Sequence, residues 1–199
     1  GLIGTAPTVV FRVMLQNRNV MMVDNPVKLP PLGDIEYIEE PVVLATIHAP
    51  SEYVGNILKL CEERRGEQKS LAVHAGSRAV ITYEMPLNEI VLDFYDKLKS
   101  YTRGYASFDY EFSGYRPAEL VKLDIKLNGE NVDALSVIVH KDKAYSKGRA
   151  LCEKLKELID RQMFEVAIQA GVGSRVISRS RVRRLRKNVT DTGYGGGVT

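Results

Sequence analysis

Cysteine is scarce: the 199 residues hold two, Cys61 and Cys152, 91 positions apart. That excludes a disulfide framework and a zinc-ligand pattern. Both lie among apolar neighbours on helix-like stretches and read as buried thiols of a reducing cytosol. Histidine is scarce too. His48, His74 and His140 each end or sit within an expected strand, with no second His or Cys at ligand spacing, and are read as structural rather than metal-binding. No apolar stretch approaches the roughly 20 residues that cross a bilayer. The first basic residue is Arg12 and no apolar segment of signal type comes after it, so no secretory signal is visible. Phosphate-binding signatures are missing as well. There is no G-x-x-x-x-G-K-[ST], and no G-x-G-x-x-G leads from a strand into a helix. Gly195-Gly196-Gly197 has no helix after it. Ser107, Ser136 and Ser178 lack a nucleophile elbow, and Asp109 and Glu111 read as a solvated strand face rather than an acid/base pair. No catalytic or metal-binding constellation emerges.

What is present is an ordinary globular composition, 44% apolar and 27% charged, enough to offset the ordering entropy of most of the chain. The length allows one or two domains. The net charge of +3 conceals an asymmetry. Residues 1–140 hold 14 basic and 19 acidic side chains, and residues 141–199 hold 14 basic and 6 acidic. Seven basic residues and no acidic one fall between Arg175 and Lys187. Like charges at that density repel each other, so they point to an anionic partner at this end.

Three zones succeed one another along the chain. In residues 1–23, Thr8 to Leu15 and Val20 to Val23 read as two strands around the turn Gln16-Asn17-Arg18-Asn19, a hairpin that needs more sheet. The proline-rich residues 24–40 read as a linker. Residues 41–116 have a βαββαβ rhythm. It comprises a strand from Val42 to His48, a helix with Val54, Ile57, Leu58 and Cys61 inward, and Gly66 as its C-cap. Strands Leu71 to Ala75 and Ala79 to Glu84 come next, around Gly76-Ser77. One helix then carries Leu87, Ile90, Val91, Phe94 and Leu98 inward, and the last strand turns Ala106, Phe108, Tyr110 and Phe112 inward. That order implies a ferredoxin-like sandwich. In residues 117–199, Val121, Leu123, Ile125 and Leu127 alternate with Lys122, Asp124 and Lys126, and Asn128-Gly129 turns into a returning strand, Asn131 to His140. Ser146 is expected to cap a helix reaching about Asp160, with Leu151, Cys152, Leu155, Leu158 and Ile159 inward. Phe164, Val166 and Ile168 alternate, Gly171 and Gly173 break the ladder, and Val176 to Ser178 resumes it. Ser180 is expected to cap a short last helix, with Val182, Leu185 and Val189 inward. The fold class is therefore α+β: a ferredoxin-like sandwich, then a small α+β domain with a helix on a curved antiparallel sheet.

The basic residues are the candidate site. Arg175 and Arg179 are an even number of residues apart on a strand, so they are expected to share a face. Arg181, Arg184 and Lys187 share a face of the expected last helix, flanked by Arg183 and Arg186. Lys141, Lys143, Lys147 and Arg149 gather where the first strand pair of this zone meets its helix. Arginine predominates at the far end, and guanidinium forks suit phosphate. Only Tyr194 interleaves, which argues for phosphate and shape reading of folded RNA rather than stacking on single strands. The alternative is a stand-alone ferredoxin-like regulatory or enzymatic domain that binds a small anionic ligand; a closed pocket under Arg175 and Arg179 would support it, and an open, convex arginine surface would support RNA.

At several stretches the chain resembles the C-terminal part of the LepA family of translational GTPases. They include Thr5-Ala6-Pro7-Thr8-Val9-Val10, Cys61-Glu62-Glu63-Arg64-Arg65-Gly66, Leu92-Asp93-Phe94-Tyr95-Asp96-Lys97-Leu98, Arg103-Gly104-Tyr105-Ala106-Ser107, Arg161-Gln162-Met163-Phe164-Glu165-Val166-Ala167-Ile168-Gln169-Ala170 and Leu185-Arg186-Lys187-Asn188-Val189. The resemblance implies a piece of a longer, monomeric, cytoplasmic factor with peripheral membrane association. GTP and Mg would be bound in a preceding domain, and no cofactor by these residues. It implies that residues 1–23 are the last hairpin of that preceding part, and that residues 117–199 contact transfer RNA and large-subunit ribosomal RNA on a ribosome the factor remodels or moves backwards. Where the family has Cys-Tyr-Gly-Gly-Asp and a lysine-rich tail, this chain has Gly193-Tyr194-Gly195-Gly196-Gly197.

Overall fold

Two units, residues 1–118 and 119–199, divide the chain in a computed structural model that describes residues 7–74, 76–160, 164–185, 188–189 and 191–192. In the first unit the hairpin β1 (Phe11–Leu15) and β2 (Val20–Val23) precedes a 16-residue strand, β3 (Ile35–Pro50). Then come α1 (Val54–Glu63), β4 (Glu67–His74), β5 (Arg78–Pro86), α2 (Leu87–Ile90), α3 (Phe94–Tyr101) and β6 (Ser107–Ala118). β3 is the spine. One edge pairs first with β1 and then, from Val42, with β5, while β6 runs along the other edge. β6-β3-β5-β4 is the ferredoxin-like order, and the hairpin extends the same sheet. The linker expected over 24–40 therefore ends early, because residues 35–40 are strand. A proline, Pro41, stands inside β3. It falls where β1 has ended and β5 has not begun, so β3 there has a neighbour on one edge only and a strand proline is tolerated.

The core of this unit joins Ala45 and Ile47 of β3, Ile57, Leu60 and Cys61 of α1, Ile81 and Tyr83 of β5, and Phe94 and Leu98 of α3. Leu60 joins the stripe expected from Val54, Ile57, Leu58 and Cys61, while Val54 and Leu58 are only partly buried. The single helix expected to run from Leu87 through Leu98 is two pieces. Arg64 Nη1 donates to Glu89 O at 3.1 Å, the carbonyl that a continuous helix would offer to the Asp93 amide, and Arg64 Nη2 lies 2.5 Å from Asp93 Oδ1. Phe112, expected inward, is 63% exposed. Its phase is the expected one, since Phe112 pairs with Val43 as Tyr110 pairs with Ala45 and Phe108 with Ile47, but Phe108 and Tyr110 pack against the core and Phe112 does not; the extra residue, Ser113, reverses the alternation only from Gly114 on.

The end of α1 is a Schellman turn. Gly66 N donates to Cys61 O at 2.9 Å, and Arg65 N donates to Glu62 O at 3.2 Å. The left-handed position falls on Arg65, with φ 58°, and not on the expected Gly66. Gly66 serves a different need: a Cβ there would lie 2.8 Å from both Cys61 O and the Tyr83 ring. Arg65 holds its conformation because its guanidinium is fixed from elsewhere. It pairs bidentately with Glu40 at 2.7 and 3.0 Å, and its Nε donates to Glu89 at 2.9 Å. Glu40 is fully buried and Glu89 nearly so.

The second unit comprises β7 (Leu120–Leu127), β8 (Glu130–Asn131), β9 (Val137–His140), α4 (Ala144–Leu158), β10 (Val166–Val172) and β11 (Arg175–Val182). Its antiparallel sheet has the order β11-β10-β7-β8, and β9 pairs with the first half of β7. Leu123, Ile125, Val139, Ala144, Cys152, Ile168, Ala170 and Val182 form the core between α4 and the sheet. The alternation expected along β7 holds, with Leu123 and Ile125 fully buried. The returning strand is interrupted at Asp133–Leu135, so only Glu130–Asn131 and Val137–His140 pair.

α4 starts earlier than its expected cap. Ser146 Oγ donates to Lys143 O at 3.2 Å from within the first turn, and the preceding turn is capped by His140 Nδ1, which accepts from Asp142 N at 3.1 Å. Gly148 lets the helix approach the sheet, since a Cβ there would lie 3.0 Å from Ile177 and 3.2 Å from Ala170. Leu158, expected inward, is 66% exposed, and Phe164, expected to open the next strand's alternation, precedes β10 and is 80% exposed. The last helix expected from Ser180 does not form: β11 runs on through Val182, which pairs with Val166.

Both cysteines are buried. Burial pushes the Cys61 thiol up to about 12, with Glu62 adding and Arg64 opposing, and burial raises Cys152 as well. A raised folded-state pKa stabilises fully below the ordinary thiol range and is lost as pH rises through it, so the Cys61 contribution fades between about pH 8.5 and about 12. A thiol-labelling time course at pH 8 is expected to modify neither residue in the native protein and both in urea. Rapid native labelling of one thiol would show that its cover is open.

Candidate nucleic-acid interface

The residues singled out for phosphate binding do not form one patch. α4 packs on one face of the second sheet, so its cations and those of its leading turn lie on that side. Lys141 is exposed and 3.6 Å from Glu119, Arg149 is exposed, and Lys143 and Lys147 are partly buried. β11 carries Arg175, Arg179 and Arg181, but not on one face. Ala170 pairs with Ser178 and Gly171 with Val176, which leaves Ile177 as an extra residue in β11. This bulge breaks the even-number rule that predicted a shared face for Arg175 and Arg179. Arg175 pairs with Val172, which packs against the core, and Arg179 pairs with Gln169 on the face without a helix. The two arginines are thus in opposite phase on the sheet and do not share a face, so the closed pocket under both that would have supported the small-ligand alternative is not built by this pair.

Beyond the bulge the phase is regular. Ser178, Ser180 and Val182 pair with Ala170, Ile168 and Val166 on the core side, and Cys152 Sγ lies 3.8 Å from Ser178 O. Arg179 and Arg181 therefore stand on the helix-free face. Arg181 Nη1 is 3.2 Å from Glu165 Oε1, a solvent-exposed pair that contributes little to stability. Arg183 and Arg184 are exposed in irregular chain after β11 rather than on a helix, and Arg186 and Lys187 lie outside the described residues.

The same face holds cations that charge counting passed over. Lys122 and Lys126 are on β7, opposite in phase to Leu123 and Ile125; Lys122 lies 3.5 Å from Asp124, whose carboxylate also accepts from Ser136. Their signal was the alternation along β7 itself. Among the described residues no group of three or more His, Cys, Asp and Glu side chains is placed to hold a metal ion, and no helix is long and apolar enough to cross a membrane.

Comparison with known proteins adds two family matches. The model of the elongation factor G C-terminus matches residues 37–126, and that of the GTP-binding protein LepA C-terminus matches residues 127–199. Elongation factor 4 of Lawsonia intracellularis is 59% identical over 198 residues, and that of Sorangium cellulosum is 54% identical over 198 residues. Each alignment covers 100% of this chain and 33% of the relative, so the chain spans about a third of the length of the curated relatives it matches.

Proposed function

We propose, for a chain that belongs to the LepA family of elongation factors and corresponds to their C-terminal third, that it is the ribosome-docking part of a translational GTPase. In this reading the second unit contacts transfer RNA and large-subunit ribosomal RNA through phosphate. GTP and Mg are bound by the preceding two thirds of the full-length factor, which works in the cytoplasm on stalled ribosomes, remodelling them or moving them backwards. The observation that carries the reading is the charge asymmetry within a match that covers all of this chain and a third of its relatives: 14 basic against 6 acidic residues over 141–199. On the helix-free sheet face Arg179 and Arg181 are exposed at the β11 edge, where a folded polyanion can reach them, whereas Leu120 and Ile138 at the β9 end are buried.

Sedimentation with purified ribosomal subunits tests it. The chain is expected to travel with large subunits and to be displaced by a full-length relative. Failure to co-sediment at low salt would remove the reading. Labelled GTP is expected not to bind the chain, because the sequence holds no phosphate loop. Saturable GTP binding would place nucleotide chemistry in these residues.

A further inference from the structure

On the helix-free face of the second sheet one register row crosses all four neighbouring strands: Asn131 of β8 faces Lys126 of β7, Lys126 faces Gln169 of β10, and Gln169 faces Arg179 of β11. Directly paired residues share a face, so the row presents amide, cation, amide, cation in a line. Three inter-strand steps of about 4.8 Å give it a length of about 14 Å. None of the four side chains is buried, and among the described residues none is engaged in a side-chain hydrogen bond or ion pair. Beside Gln169 on the same face of β10 stand only Ala167 and Gly171, while Asp124, which pairs with Gly171, and Arg181, which pairs with Ala167, stand on either side of the row.

We propose that the row Asn131–Lys126–Gln169–Arg179 is a recognition strip for the shallow minor-groove side of double-helical RNA, with the two cations on phosphates and the two amides on 2′-hydroxyls. This rests on the reading that the second unit binds RNA and names the surface and the class of RNA. The match is chemical. A lysine and an arginine take phosphate oxygens, whereas an amide both donates and accepts, as a 2′-hydroxyl does. The RNA minor groove is wide and shallow and displays those hydroxyls, so a flat row of short reach can read it. A DNA duplex offers the phosphates but no 2′-hydroxyl, which makes Gln169 and Asn131 the discriminating residues and Lys126 and Arg179 the indifferent ones.

The test uses the full chain with an RNA duplex and a DNA duplex of the same sequence, each about 16 base pairs. The wild type is expected to bind the RNA duplex about tenfold more tightly. Gln169→Met keeps the volume and removes the amide; it is expected to abolish most of that preference while leaving DNA affinity unchanged. Lys126→Ala and Arg179→Ala are expected to weaken both duplexes by about five- to tenfold and to lower the salt slope by about 0.9 each. Lys126→Gln gives a second probe of the same charge if the alanine variant melts early. Equal wild-type affinity for RNA and DNA, or a Gln169→Met variant that keeps its RNA preference, overturns the amide roles. Full RNA affinity in Lys126→Ala and Arg179→Ala, with loss in Arg149→Ala on the α4 side, overturns the strip but keeps RNA binding by the second unit. If the wild type binds neither duplex the strip falls, and the large-subunit sedimentation then decides the wider reading separately.

Discussion

Replacing Arg65 by alanine should destabilise the first unit by about 3–5 kcal/mol, because it strips the partner from two carboxylates held out of water. Glu40 is 0% exposed and takes both Nη atoms of Arg65; Glu89 is 4% exposed and takes Nε. The backbone separates this loss from strain. Arg65 sits at φ 58°, a conformation that glycine adopts freely and alanine does not. Arg65→Gly loses the same ion pairs but relieves the backbone, and is expected to cost about 1 kcal/mol less than Arg65→Ala. Urea unfolding followed by a probe in the first unit reads both, since a two-unit chain need not unfold in a single step. A cost below about 1 kcal/mol for Arg65→Ala would show that water reaches the two carboxylates.

Phe94→Ala should cost a similar amount, about 3–5 kcal/mol, by a different cause: lost apolar burial plus the cavity left behind. Phe94 opens α3 and is fully buried, and its ring meets Phe108 edge-to-face at 5.3 Å and 77°. That contact ties α3 to β6, the edge strand, so the variant should loosen β6 as well as α3. Hydrogen exchange at the Phe108 and Tyr110 amides is expected to speed up, while the second unit keeps its protection. Unchanged exchange in β6 together with a small stability loss would mean that the ring is not the link between these elements.

Much of the fold was legible where one periodicity ran unbroken. The alternation from Val121 to Leu127 gave β7 and its inward face, and the spacing of Ile57 and Cys61, or of Phe94 and Leu98, gave the helix stripes. The illegible parts came from single residues acting over distance. Ser113 and Ile177 are each one residue too many in a strand, and each reverses the facing of the rest of that strand; neither is a glycine or proline that would mark the spot. Arg65 stands in a glycine position because Glu40, 25 residues away, holds it there. Arg64 splits an expected helix by taking the Glu89 carbonyl from a different element. For the candidate site, arginine density along the chain drew attention to 175–187, yet the face that presents Arg179 also presents Lys126 and Gln169 from two other strands. Density along the chain is a one-dimensional signal, and a sheet face is assembled across strands.

The salt dependence of binding to large ribosomal subunits tests the central claim most directly. If four or five phosphate contacts from the second unit act together, the logarithm of affinity should fall against the logarithm of salt with a slope of roughly −3 to −4.5. Arg184→Ala and Arg179→Ala should each reduce its magnitude by about one contact and weaken binding without changing which RNA is preferred. A slope near zero, or an unchanged slope and affinity in both variants alongside a loss of stability, would contradict the account and make these arginines part of the fold rather than of an RNA interface.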